Sequence, residues 1–212
     1  MEKLVVFDVD GVLIDTKIGS FKEIGILLGK EKEIKEHAEE YERRKHLGPW
    51  GLDELAMIFK GIEEEKAEKA AKEIIERQLM NGTEETLKEL KKRGYQLISY
   101  SSSPSWIMNL LREKLSFSEV CGNTLETKNK IITGKLLEKV DRYTKAEKLK
   151  KFIIKNKIDK KNIFVVGDSV TDLPIAELGR FIAFNSDNQK VKEKAEFILD
   201  KKDLREVLNI IN

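Results

Sequence analysis

Apolar positions along this 212-residue chain fall into two patterns. The first is a set of short runs: KLVVFD at 3–8, YQLISY at 95–100, NIFVVGD at 162–168 and RFIAF at 180–184. These are β-branched and aromatic, which predicts strands covered on both faces. The second is helical spacing between them. TEETLKELKKRG has Thr83 as N-cap and Gly94 as stop, TKAEKLKKFIIKNK begins at Thr144, and DLREVLNII closes the chain as a helix. Alternation of this kind predicts a doubly wound α/β fold, a parallel sheet with helices on both faces.

One region breaks the alternation. Residues 15–80 hold no strand-like run, only a Glu/Lys-rich helical pattern interrupted by LGPWG at 47–51. The expected organisation is a core of residues 1–14 and 81–212, with 15–80 as a small helical cap inserted after the first strand. VCGNTLETKNKIITGKL alternates and carries turn residues at 128–130, predicting a hairpin. No internal repeat or low-complexity tract is evident.

Composition narrows the function classes. Lys+Arg 40 against Asp+Glu 38 leaves a net charge of +2, which gives no case for a nucleic-acid binder. The lysine-rich stretch at 147–162 is read as a solvated helix face, since Leu149, Phe152 and Ile153 keep a helical spacing. Cys121 is the single cysteine, so no internal disulfide is possible, and it is read as a buried, inert thiol. His37 and His46 have no partners at metal-ligand spacing and are expected on the surface. GILLGK at 25–30 has one residue too few between its glycines for a P-loop, and follows no strand. No apolar run approaches the ~20 residues that span a bilayer, so a soluble, cytoplasmic protein is expected.

Candidate chemistry gathers where the apolar runs end. In DVDG, Asp8 closes the first run and Asp10 follows two positions on. In an extended chain those side chains project the same way, and ligands of parallel sheets bind beyond such strand ends. Two adjacent carboxylates repel, so a divalent cation or a retained proton must offset the cost; an acidic surface turn is the plain alternative. VVGDSVTD adds Asp168 at another strand end and Asp172 at a helix start, hard oxygens suited to Mg²⁺. ISYSSSPS places Ser101 at a third end, and Ser102 and Ser103 lead to Pro104 and a helix whose free N–H groups suit a phosphate. Lys145 supplies a cation. Mg²⁺ with a phosphate ester satisfies the whole set.

With these motifs the chain resembles the haloacid dehalogenase superfamily, in its phosphoserine phosphatase-like branch. The resemblance extends over nearly the whole chain, through DVDG, KKRGYQLISYS, the hairpin, Lys145, GDSVTD and KKDLREVL. It implies Asp8 as the nucleophile that forms an aspartyl-phosphate, and Asp10 as general acid and then base. It implies Mg²⁺ held by Asp8, the Asp10 carbonyl and Asp168, with Asp172 in support. Ser101, Ser102, Lys145 and Thr171 would serve the phosphoryl group. The implied activity is hydrolysis of a small phosphomonoester by a monomer or homodimer without nucleic-acid or membrane partners. The alternatives are phosphoserine itself as substrate, a phosphomutase or phosphotransferase, and a regulatory binding protein on a retained fold.

Four features depart from the family pattern. Lys17 stands where the branch has a glutamate for the substrate ammonium, unless Asp15 or Glu23 takes that place. No arginine occurs between Arg44 and Arg77, where the branch uses one for the substrate carboxylate. Thr171 replaces a common Asn, and Ser102–Ser103 replaces a Gly–Gly pair. Lys17 is therefore expected to disfavour a zwitterionic substrate.

Overall fold

The computed structural model describes residues 2–44, 46–47 and 51–212. Among these, seven strands form one sheet: β1 Lys3–Phe7, β2 Tyr95–Pro104, β3 Glu119–Lys128, β4 Ile131–Glu138, β5 Ile163–Gly167, β6 Arg180–Phe184 and β7 Phe197–Leu199. Their spatial order is β4-β3-β2-β1-β5-β6-β7, and every pairing except the β3–β4 hairpin is parallel. Connections run to opposite sides of β1, so its carboxyl end is the topological switch point, where open α/β sheets form their ligand crevice. Asp8 is the next residue.

Burial explains the short apolar runs. On β1, Val5 and Phe7 enter one hydrophobic cluster while Leu4 and Val6 enter the other, on the opposite face. Between β1 and β2 lie α1 Ser20–Leu27, α2 Glu31–Arg44, α3 Leu52–Ile58, α4 Glu64–Gln78 and α5 Thr83–Lys92. The first four helices form the insert, and the LGPWG break falls largely outside the described residues. Phe21, Ile24, Phe59 and Ile74 of the insert share a cluster with Val5, Phe7 and Trp106. The Phe59 and Trp106 ring centroids are 6.1 Å apart.

The chain continues through α6 Ser105–Leu115, α7 Arg142–Asn156, α8 Leu173–Ala176 and α9 Gln189–Lys194. The hairpin forms as expected, with Asn129 and Lys130 both left-handed (φ 51° and 65°), the turn geometry that matches strand twist. Several local expectations need correction. Thr83 is the first residue of α5 rather than its cap; Gly82 precedes it, and the Thr83 hydroxyl donates to the Met80 carbonyl. The closing segment is a 3₁₀ helix, Leu204–Asn209, capped by Asp203, which accepts from the Arg205 N–H. Strand β7 was not foreseen, because three residues leave no readable alternation.

His37 is buried, not a surface residue, with Nε2 2.7 Å from the Gly51 carbonyl. His46 is exposed as expected. Cys121 is a free, buried thiol, and burial pushes it up to about 11. No helix of the described residues is long and apolar enough to cross a membrane.

Candidate active site

Register brings the acidic strand ends together. Phe7 pairs with Val166 on β5 and with Ser99 on β2, so Asp168 and Ser101 emerge just past Asp8 on its two sides. The Asp8 N–H donates to the Val166 carbonyl at 3.0 Å, which extends the parallel ladder one residue past β1. The Ser99 hydroxyl donates to the Phe7 carbonyl at 3.0 Å and ties β2 to the same point.

Lys145, in the first turns of α7, is as buried as the core around it. Its Nζ is 2.6 Å from Asp172 Oδ1 and 3.3 Å from Asp8 Oδ1. Burial alone would lower that ammonium, but the Asp172 and Asp8 carboxylates outweigh it and hold it above its ordinary range. The second oxygen of Asp172 accepts from the Asp168 and Ser169 N–H groups, each at 3.2 Å. Gly167 permits this turn, since a Cβ there would lie 2.7 Å from Asp172 Oδ2. Gly11 does the same across the site. It takes φ +83°, and a Cβ would lie 2.3 Å from Asp168 Oδ2.

Asp8, Asp168 and Asp172 place one oxygen each within 4.8 Å of one another. Burial, then the charge of Asp172, pushes Asp8 up to about 7 in spite of Lys145. Burial, then the charges of Asp8, Asp172 and Asp10, pushes Asp168 up to about 8. Asp168 Oδ1 is buried without a hydrogen-bond partner. Excess negative charge, hard oxygen donors and an orphaned buried carboxylate oxygen together fit a divalent cation such as Mg²⁺.

Asp10 behaves differently from its neighbour. The strand ends at Phe7 and the chain bends at Val9, so the two carboxylates take separate partners. Asp10 Oδ1 accepts from the Ser20 N–H at the start of α1, and Oδ2 from the Ser103 hydroxyl, both at 3.0 Å. Its carboxylate is outside the three-carboxylate group. Burial raises its pKa, the Ser20 and Ser103 hydrogen bonds oppose that, and Glu23 adds a further upward push.

The serine run at the end of β2 is braced from β3. Asn123, fully buried, donates to the Ser102 carbonyl at 2.6 Å and to the Val140 carbonyl at 3.2 Å, and accepts from the Val140 N–H at 2.8 Å. Ser101 Oγ is 3.0 Å from Ser103 Oγ. Thr171 Oγ1 is 2.7 Å from Ser169 Oγ, at the mouth of the Asp168–Asp172 turn. Lys17 is exposed on the segment ahead of α1, whereas Glu23 is half-buried and accepts from the Thr16 hydroxyl. Asp15 is exposed and pairs with Lys202 at 2.7 Å. Ser20, Ser103 and Asn123 had no assigned role in the sequence reading, because their partners lie across the fold.

A family model described as haloacid dehalogenase-like hydrolase matches residues 5–177. The chain belongs to the haloacid dehalogenase-like hydrolases. Within that family its similarities are to phosphatases, and it is an enzyme of that kind. It is 32% identical over 212 residues to the phosphoserine phosphatase of Methanocaldococcus jannaschii, covering 99% of this chain and 98% of that one. A crystal structure of a phosphoserine phosphatase in apo form superimposes with TM-score 0.85 and 30% identity, over 100% of both chains. A phospho-aspartyl intermediate analogue of a phosphoserine phosphatase gives TM-score 0.85 and 31% identity, over 100% of this chain and 99% of the other.

Proposed function

We propose that the chain hydrolyses a small phosphomonoester through a phosphoryl group carried on Asp8, with Mg²⁺ held by Asp8, Asp168 and Asp172 and by the Asp10 carbonyl. The observation that carries this reading is the seat of Asp8: a buried carboxylate at the switch point, within reach of Lys145 and two further carboxylates. The bound cation supplies positive charge to ester and nucleophile alike. Lys145 holds the Asp8 carboxylate in place and offsets the approach of a second anion. Asp8 forms a bond to phosphorus as the ester P–O bond breaks, and Asp10 gives a proton to the departing oxygen. Asp10 then takes a proton from water as that water attacks phosphorus, releasing phosphate and restoring Asp8. Ser101, Ser102, Thr171 and the N–H groups at the start of α6 bind the phosphoryl oxygens, and the helices of residues 15–80 cover the site.

Asp8→Asn should abolish turnover, since an amide is a poor nucleophile. Mass spectrometry of the quenched wild-type reaction should place a phosphoryl group on the peptide of residues 1–17. Undiminished turnover by Asp8→Asn sinks the mechanism.

For the substrate, Lys17, standing where the resemblance expects a glutamate, supports an amine-free ester such as a phosphorylated hydroxy acid, but its exposure to solvent screens that charge and weakens its effect. A second reading, phosphoserine, is favoured by the relatives and by Glu23, whose carboxylate is close enough to act on Asp10. Released phosphate from phosphoserine and from phosphoglycerate, compared at saturating Mg²⁺, decides between them.

A further inference from the structure

We propose that Ser103 is a positioning residue that fixes the orientation of the Asp10 carboxylate. The proposal rests on the reading of Asp10 as the group that moves the leaving-group proton. Ser103 is fully buried, and its hydroxyl donates to Asp10 Oδ2 at 3.0 Å. The other oxygen, Oδ1, accepts from the Ser20 N–H at 3.0 Å. A carboxylate gripped at both oxygens cannot turn about its Cβ–Cγ bond, a soft torsion otherwise. Proton transfer requires the donor oxygen within hydrogen-bond reach of the leaving atom, so that torsion is where geometry is won or lost.

The seat of Ser103 is itself rigid. Gly122 of β3 leaves room for the Ser103 carbonyl, which a Cβ at that position would meet at 2.5 Å. Asn123 holds the preceding carbonyl of Ser102 at 2.6 Å. The same hydroxyl oxygen is 3.0 Å from Ser101 Oγ. A serine has one hydrogen to give; Ser103 gives it to Asp10 and so accepts from Ser101. One side chain thereby ties Ser101 to the proton carrier, and in this arrangement the Ser101 hydroxyl is spent on Ser103 and becomes free to donate to a phosphoryl oxygen only by turning away from it.

The test compares Ser103→Ala and Ser103→Thr on two esters, phosphoglycerate and p-nitrophenyl phosphate, whose phenolate hardly needs a proton to depart. Ser103→Ala should lower kcat on phosphoglycerate by roughly tenfold, less than the ~100-fold that a 1 Å misplacement can cost. KM should stay within about twofold, the loss on p-nitrophenyl phosphate should be smaller, and Ser103→Thr, which keeps the hydroxyl, should recover most of it. Equal losses on both esters, or no loss, overturn the proposal. Asp10→Asn, run alongside, separates the two failures, since equal losses there mean that the reading of Asp10 has failed. If the wild type cleaves neither ester, crystal structures decide the positioning claim alone. A rotated or doubled Asp10 carboxylate in Ser103→Ala supports it, and an unmoved one overturns it.

Discussion

Two ion pairs in this molecule have the same length and opposite meaning. At the carboxyl edge of the sheet, Lys145 Nζ is 2.6 Å from Asp172; on the outer face of α4, Lys69 Nζ is 2.6 Å from Glu65. The first pair is 1% and 0% exposed, the second 73% and 70%. In water the attraction is screened and holding two long side chains still costs entropy, so the α4 pair does little. Inside the protein neither charge can be solvated, so each depends on the other, and removing one strands the rest. Separation alone therefore says nothing about consequence.

Lys145→Ala tests the buried pair and should have the largest effect. It leaves Asp8 and Asp172 without their cation, and loss of one partner of a buried pair typically costs about 3–5 kcal/mol. Chemical denaturation of the metal-free protein should register that loss, and phosphate release should fall to background. A folding free energy within error of wild type would mean that water already reaches the pair.

The pH dependence sharpens the comparison. Asp8 and Asp168 have folded-state values near 7 and 8 against an ordinary 3.8, so the folded chain holds more protons than the unfolded chain between those limits. Their contribution is therefore favourable to folding at low pH and is lost as pH rises through about 4 to 8. With a chelator present, the melting temperature should be lower at pH 8 than at pH 6. Added Mg²⁺ should raise it by several degrees, and by more at pH 8 than at pH 6. A Mg²⁺ effect independent of pH would mean that these carboxylates are not its ligands. The smallest effect belongs to Lys69→Ala, which should leave both melting temperature and turnover within measurement error.

The same contrast governs what could be read beforehand. Asp8 and Asp168 were legible because each follows an apolar run, and a charge at the end of a buried strand needs a reason; Lys145 was picked out only as a cation at a helix start. The parallel, doubly wound sheet followed from strand–helix alternation, though β7 was too short to announce itself and the order of the strands was not read. Asp10 was found, but its surroundings were not. The bend at Val9 turns it toward Ser20 and Ser103, and a period-two argument assumes no bend. Asn123 reads as an ordinary hairpin residue until Ser102 and Val140 are folded against it. His37 sits in a helix of charged residues and reads as solvent-facing; it is buried, and its Nε2 meets the Gly51 carbonyl, supplied from beyond that helix.

The hairpin has a consequence of another kind. Strand β4 forms one edge of the sheet, opposite β7, and an open strand margin invites pairing with a second molecule. Here the link between α3 and α4 lies along it. The Gly61 N–H donates to the Ile132 carbonyl, the Ile132 N–H to the Ile62 carbonyl, and the Glu64 N–H to the Lys130 carbonyl. Those three bonds guard solubility and also act as a tether. Helices α3 and α4 cannot shift against the sheet without dragging the hairpin or giving up the bonds, so the helical segment and the protected margin are one mechanical part.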